Sequence, residues 1–257
     1  MLSLINKWLK AAVLEMQEYV RLLGALLYAA VSRPFYHRDL VEQLETIGVG
    51  SLTVVLLTGF FTGAVLALQT GITLDQFGAR PVVGRLVSAS MVKELGPVLT
   101  ALMLAGRVGS GIAAELGSMV VTDQISALRA LGTDPVRKLV MPRVLAGLLM
   151  APILTVIADF VGIMGGGAIA VTQLQVAWTV YRTSITDVLY TQDVWMGLIK
   201  PFVLGFVIVS IGCHVGLRTG GGTQGVGRST TQAVVAASVA VLAVDFFLTR
   251  LLISVLY

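Results

Sequence analysis

The sequence predicts an all-α integral membrane protein, and two observations carry this prediction. Apolar residues make up 56% of the 257 residues and charged residues only 12%, which is about half the share that a soluble domain carries. The apolar residues form long unbroken runs rather than alternating segments of about ten residues, which argues against a transmembrane β-barrel. Despite its net charge of +4, a chain with so little polar surface is not an ordinary soluble enzyme, a disordered protein or a nucleic-acid-binding protein.

Residues 1–45 are expected to form an amphipathic helix in the membrane interface, followed by a linker. Leu22–Val31 resembles the apolar part of a signal peptide, but the helical alternation before it argues against cleavage. Arg33-Pro34 is expected to end the helix, because the residue before a proline disfavours the α conformation. The favoured role of the helix is that of a membrane anchor. Its charged positions are Lys7, Lys10, Glu15, Glu18 and Arg21, and its apolar positions are Leu2, Ile5, Leu9, Val13, Met16 and Val20.

Five apolar stretches are long enough to cross a bilayer, which takes about 20 residues of helix. A sixth segment, Val108–Thr122, is short and carries Glu115, so we interpret it as a helical extension or a loop. Residues 46–257 are therefore expected to form one membrane domain of five spans. The predicted spans are Thr46–Leu74, Leu86–Gly106, the run after Arg143 to about Thr172, about Val194–Leu217 and about Ala233–Leu256.

Lysine and arginine residues are distributed unevenly between the two sides of these spans. Twelve precede span 1 or lie in the 2–3 and 4–5 connections, whereas three lie in the other connections. Because positively charged loops stay in the cytoplasm, the N-terminus is predicted to be cytoplasmic and, with five spans, the C-terminus outside. The twelve are Lys7, Lys10, Arg21, Arg33, Arg38, Arg107, Arg129, Arg137, Lys138, Arg143, Arg218 and Arg228, and the three are Arg80, Arg85 and Arg182.

The longest polar interruption, Arg107–Arg143, connects spans 2 and 3. Thr122 or Asp123 can cap a short helix there, and Gly132 suits the position after its end, where φ is positive. Pro135 suits the first position of the next helix. Such a crosswise helix either lies on the membrane or docks into a groove of a soluble partner. Its apolar face would consist of Ile125, Leu128 and Leu131.

Seven short motifs follow one another in a fixed order along this part of the chain. They are Glu94–Val98, Ala105–Ser110, Ala114–Met119, Asp123-Gln124, Ala127-Leu128, Asp134-Pro135 and Pro142-Arg143. This run resembles the MlaE family, the permease subunits of ABC transporters that work with MCE proteins in lipid trafficking. The similarity covers nearly the whole chain. One departure is Asp123, where many relatives carry a glutamate before the glutamine.

The resemblance implies a permease homodimer in the bacterial inner membrane, with cytoplasmic ATPase subunits and an MCE protein on the outer face. In some systems a small STAS-domain protein also joins the assembly. The substrate would be phospholipid or a related lipid moved between the inner membrane and the outer envelope. ATP would be hydrolysed on the partner, with no cofactor on this chain, and a coupling segment at about residues 115–135 would transmit the motion. The implied coupling residues are Glu115, Asp123, Gln124, Leu128 and Leu131.

Ionisable residues inside predicted spans are costly and mark functional sites by default. Lys93, Glu94 and Lys200 fall in the outer halves of spans 2 and 4. We hypothesise that the three line an outward-facing pocket that receives a lipid phosphate headgroup. The alternative is that both lysines extend to the outer interface and Glu94 pairs locally.

Asp159 and Asp245 lie near the middle of spans 3 and 5. Pairing with a cation on a neighbouring helix is favoured over a proton relay. The two acids also define the alternative function, a self-contained ion-coupled secondary transporter or channel that needs no ATPase.

Other motifs resemble chemistry that their context does not favour. Gly222–Ser229 nearly matches a phosphate-binding loop, but it joins two predicted spans, so we interpret it as a flexible turn. Ser110 and His214 lack a nucleophile-elbow pattern, so an enzyme is not expected. The two histidines and one cysteine are scattered and indicate no metal site. Three glycine pairs have a spacing that permits close helix packing: Gly59/Gly63, Gly162/Gly166 and Gly212/Gly216.

Overall fold

The computed structural model describes residues 2–31 and 36–256, and these residues form helices joined by short connections. The N-terminal helix α1 spans Leu2–Val31, as its amphipathic pattern predicts. The expected helix end at Arg33-Pro34 lies outside the described residues. Within the described residues, five helical segments are long and apolar enough to cross a membrane, in agreement with the predicted number.

Helix α1 packs against the last turns of the fourth span. The hydroxyl groups of Tyr19 and Ser210 share a hydrogen bond of 2.8 Å, and the Tyr19 ring meets the edge of His214. Glu18 lies 2.9 Å from the Arg218 guanidinium. Helix α1 is therefore attached to the bundle by a polar stripe and by the buried Leu26, while Val13, Met16 and Val20 are exposed.

Span 1 is longer than its apolar core. It begins with α2 (His37–Leu44), passes through a π-helical turn (Glu45–Val49) and continues as α3 (Gly50–Asp75). The helix therefore extends beyond the predicted start at Thr46, because helical backbone hydrogen bonds do not require apolar side chains.

Span 2 is the most segmented of the five, running from Arg80 to Val121 as one helical rod with two π-helical turns. Val108–Thr122, which the sequence left as a helical extension or a loop, is a helical extension of this span. The segments after a short 3₁₀ turn are α4 (Val83–Ser90), the turn Met91–Leu95, α5 (Gly96–Leu104), the turn Ala105–Gly109 and α6 (Ser110–Val121).

The remaining helices complete the bundle. The 2–3 connection contains α7, and a π-helical turn at Val136–Val140 leads into span 3. The connection is thus much shorter than the predicted Arg107–Arg143, since both flanking helices extend into it. The helices are α7 (Gln124–Ala130), α8 (Met141–Thr172), α9 (Trp178–Thr186), α10 (Thr191–Leu217) and α11 (Gly222–Leu256).

Glycines let spans 1 and 3 approach closely. A β-carbon added at Gly63 would overlap the carbonyl oxygen of Gly162, and one at Gly59 would lie 2.8 Å from the carbonyl oxygen of Ala158. Gly212 meets Gly109 in the same way, at 2.9 Å. The predicted glycine pairs therefore serve packing between helices of one chain.

Two apolar clusters fill the interior. The larger one joins α5, α6, α8 and α10, and the smaller one surrounds the fully buried Tyr181 of α9. The Tyr181 hydroxyl donates a 2.8 Å hydrogen bond to the carbonyl of Ile163, which fixes α9 against span 3. We call the end of the bundle that carries residues 122–135 the coupling end, and the opposite end, which carries α9, the cavity end.

Candidate functional site

Lys200 lies fully buried on α10, nine residues from the start of that helix at the cavity end. Its ammonium group donates a hydrogen bond of 2.5 Å to Glu94 Oε2 and one of 2.9 Å to the backbone carbonyl of Lys93. Asp245 Oδ1 lies 3.4 Å away on the other side. A buried ammonium requires such a set of acceptors, because each unmet N–H would cost free energy.

The carbonyl of Lys93 is available to Lys200 because of a proline. In an α-helix this carbonyl would accept from the N–H of residue 97, but Pro97 has no N–H. The π-helical turn Met91–Leu95 lies immediately before, so the helix is opened where the buried ammonium meets it. Lys200 thus supplies the donor that Pro97 lacks.

Lys93 points to a different partner. Its ammonium lies 2.8 Å from Asp193 Oδ1, and Asp193 is fully buried in the first turn of α10. The other carboxylate oxygen of Asp193 accepts the backbone N–H of Tyr190 at 3.1 Å, which caps the start of span 4. The sequence prediction missed Asp193, because the predicted span began one residue after it. An acid in the first turn of a predicted span is the signal that could have found it.

Adjacent residues of span 2 therefore bind two residues of one helix face. Asp193 and Lys200 are seven residues apart, which is about two helical turns and places both on the same side of α10. Lys93 and Glu94 diverge by about 100°, as expected for neighbours on a helix, and each reaches one of them.

A cavity of about 530 Å³ opens beside this cluster. Lys93 and Glu94 lie on its wall, whereas Lys200 lies behind Glu94 and is not part of the lining. The structure thus brings the three predicted residues together but exposes only two of them. The cavity is otherwise mainly apolar, and its further lining residues are Ala89, Ser90, Met196 and Ile253.

The two acids near the middle of spans differ from each other. Asp245 forms the expected ion pair with a cation on a neighbouring helix, its Oδ1 lying 3.4 Å from the Lys200 ammonium. The pairing expected for Asp159 was wrong: among the described residues its buried Oδ1 has no hydrogen-bond partner. This oxygen is pressed against Gly96, since a β-carbon there would overlap it.

At the coupling end, α7 follows span 2 and packs against its last helix, α6. Ile125 is buried and Leu128 packs against the larger apolar cluster, but Leu131 is 79% exposed. The predicted single face of these three residues is therefore wrong at Leu131, because α7 ends at Ala130 and the chain turns at Gly132, where φ is +74°. Two more predicted coupling residues, Asp123 and Gln124, are also exposed.

Glu115 has a structural contact of its own. Its Oε2 lies 2.9 Å from the buried guanidinium of Arg143, which also donates to the carbonyl of Leu139 at 2.7 Å. This pair joins α6 to α8 at the coupling end. Half of the Glu115 side chain stays exposed.

Comparison with known proteins places this architecture in a family. The family model described as "Permease MlaE" matches residues 40–251. The chain belongs to the MlaE permease family. The matched range contains spans 2 to 4, most of spans 1 and 5, the charged cluster and α7.

Relatives of this permease cover most of its length. It is 45% identical over 232 residues to a probable ABC transporter permease protein of Rickettsia felis, covering 89% of this chain and 90% of that protein. It is 34% identical over 260 residues to the intermembrane phospholipid transport system permease protein MlaE of Haemophilus influenzae, covering 97% and 98%. Identity to the chloroplastic protein trigalactosyldiacylglycerol 1 of Arabidopsis thaliana is 35% over 225 residues, covering 88% of this chain and 64% of that protein. The permease is thus a membrane subunit of the ABC transporter class.

The motifs set aside in the sequence have structural roles in the permease. The prediction of a flexible turn at Gly222–Ser229 was wrong, because these residues form the first two turns of α11. Ser229 forms a buried 2.8 Å hydrogen bond with Thr219, which ties α11 to the preceding turn. The Ser110 hydroxyl donates to the carbonyl of Gly106, while His214 packs on α1. Among the described residues, no group of three or more metal-binding side chains is present.

Proposed function

We propose that this permease moves phospholipid, or a related lipid, through the cavity beside Lys93 and Glu94, driven by ATP hydrolysis on a partner subunit. The observation that carries the proposal is the cavity itself: about 530 Å³, mainly apolar, with one cation and one anion on its wall. A phospholipid has the same division into a charged headgroup and apolar chains. The name of the Haemophilus influenzae relative states intermembrane phospholipid transport, which supports the same substrate class.

The partner ATPase is proposed to dock at the coupling end. A helix with exposed polar and apolar residues outside the apolar spans suits a groove on a soluble protein. The exposed Asp123, Gln124 and Leu131 provide this surface, while Ile125 and Leu128 hold it to the bundle. Because Glu115 ties α6 to α8 through Arg143, a force on α7 would reach spans 2 and 3 together.

The functional assembly is proposed to be a homodimer with two ATPase subunits, an MCE protein on the outer face and, in some systems, a STAS-domain protein. Only 11% of the most apolar 18-residue stretch of α11 is buried within one chain, which leaves a large surface for lipid or for a second copy. Exposed residues along it include Val239, Leu242, Phe246, Phe247 and Leu251.

Replacing Leu131 with glutamate is expected to reduce the ATPase that co-purifies with tagged permease by at least about tenfold, since a charge would be buried at the contact. The measurement is ATP hydrolysis per permease after purification from native membranes. Phe77→Glu is the matched control, because Phe77 is 76% exposed in the connection at the cavity end. Full ATPase recovery with Leu131→Glu would contradict the proposed docking surface. Transport driven by an ion gradient without any ATPase would favour the alternative function.

The proposed orientation places the coupling end in the cytoplasm. A membrane-impermeant maleimide should therefore label Thr183→Cys of α9 in intact cells, and Ser126→Cys of α7 only after permeabilisation. Both positions are exposed, and the native Cys213 is fully buried, so the unsubstituted protein serves as the background control. The reverse labelling pattern would show that the charge distribution had been misread.

A further inference from the structure

The charged cluster at the cavity has an excess of carboxylates. It contains the ammonium groups of Lys93 and Lys200 and the carboxylates of Glu94, Asp193 and Asp245. With every group ionised, two positive charges face three negative ones, so the cluster carries one net negative charge. A headgroup bearing only a phosphate would approach a site of its own sign.

Only two members of the cluster show substantial surface to the cavity. The Lys93 side chain is 32% exposed and that of Glu94 is 41% exposed, whereas that of Asp245 is 13% exposed and Asp193 and Lys200 are fully enclosed. The wall therefore presents one cation next to one anion. Its charge pattern is that of a zwitterion.

Each exposed group is held from behind by a buried counter-ion. Asp193 fixes the Lys93 ammonium at 2.8 Å, and Lys200 fixes the Glu94 carboxylate at 2.5 Å. Both counter-ions belong to α10, so the spacing of the two exposed charges is set by one rigid helix. Because the two exposed groups are already ordered before a ligand binds, less conformational entropy is lost on binding.

Given the proposed lipid transport, on which this inference rests, we infer that the cavity selects headgroups that carry both a phosphate and an ammonium over headgroups that carry a phosphate alone. An ammonium has three N–H donors, so Lys93 can donate to Asp193 and to a lipid phosphate at the same time. The lipid ammonium then donates to Glu94. A headgroup without an ammonium places its phosphate near the Glu94 carboxylate, in a cluster that already carries one net negative charge.

The test is the lipid that the purified permease retains in nanodiscs of equimolar phosphatidylethanolamine and phosphatidylglycerol, measured by native mass spectrometry. The expected result is about fivefold enrichment of phosphatidylethanolamine, as for one partly exposed charge-assisted hydrogen bond. Glu94→Gln should bring the ratio close to one. Asp75→Asn is the matched control, because it removes one carboxylate from an exposed ion pair at the same end and should keep the enrichment.

A second measurement needs no variant. N-acylated phosphatidylethanolamine keeps the phosphate and loses the ammonium charge, so the unsubstituted permease should discriminate against it as it does against phosphatidylglycerol. Equal retention of all these lipids would overturn the selectivity and leave lipid transport standing. An unchanged ratio in Glu94→Gln would overturn the role of Glu94. Retention of no phospholipid above background would contradict the proposed function as well.

Discussion

Replacement of Lys200 by methionine is expected to destabilise the permease by about 3 kcal/mol, because removing one partner of a buried ion pair leaves the other uncompensated. Methionine matches the length of the lysine stem but supplies no donor. Glu94 and Asp245 would lose their shared cation, and the carbonyl of Lys93 would lose its hydrogen bond. The measurement is the unfolding midpoint of the purified protein in detergent.

Two further variants separate the ion pair from packing. The triple variant Lys200→Met/Glu94→Gln/Asp245→Asn removes the stranded charges and should recover part of the lost stability. Arg80→Met breaks the exposed Arg80–Asp75 pair and should leave the midpoint nearly unchanged. A Lys200→Met protein with the midpoint of the unsubstituted permease would show that the buried network contributes nothing to stability.

Substitution of Gly63 by alanine is expected to have an effect of similar size, about 2–3 kcal/mol, since overpacking must separate the two helices. The added methyl group would overlap the backbone carbonyl of Gly162, which cannot rotate away as a flexible side chain could. Loss of thermal stability in detergent measures the effect. Weakened packing between spans 1 and 3 is the physical cause.

The same substitution at Gly24 provides the control. Gly24 lies within α1, and no atom lies within 4 Å of a β-carbon built there. Alanine should be neutral at this site or should stabilise the helix by up to about 1 kcal/mol, because it restricts the unfolded chain. Equal losses at Gly24 and Gly63 would mean that helix contact is not what Gly63 provides.

The number of spans could be predicted from the sequence, but their ends could not. Hydropathy detects the apolar middle of a helix, whereas the helix continues as long as its backbone hydrogen bonds do. Arg107 and Arg143 were assigned to a connection, yet both lie on helices and bind across them. Arg107 donates to Ser51 Oγ at 2.8 Å, and Arg143 binds Glu115 at 2.9 Å.

The candidate site was predicted in part. The rarity of charges inside spans singled out Lys93, Glu94 and Lys200, and the structure brings them together. The sequence could not indicate that Lys200 is enclosed, that Asp193 holds Lys93, or that Asp159 lacks the expected partner. Burial depends on which helices are neighbours, and an isolated hydropathy profile does not contain that information.

Composition and local pattern alone determined that this chain lies in a membrane, that it has five spans, and where its charges fall. Each of these follows from the transfer of short segments from water to lipid, which depends on those segments only. The tertiary structure alone decided which charges meet. Glu94 and Lys200 are 106 residues apart, so their 2.5 Å contact depends on spans 2 and 4 being adjacent. That adjacency turns costly isolated charges into an ion-paired cluster with two members facing the cavity.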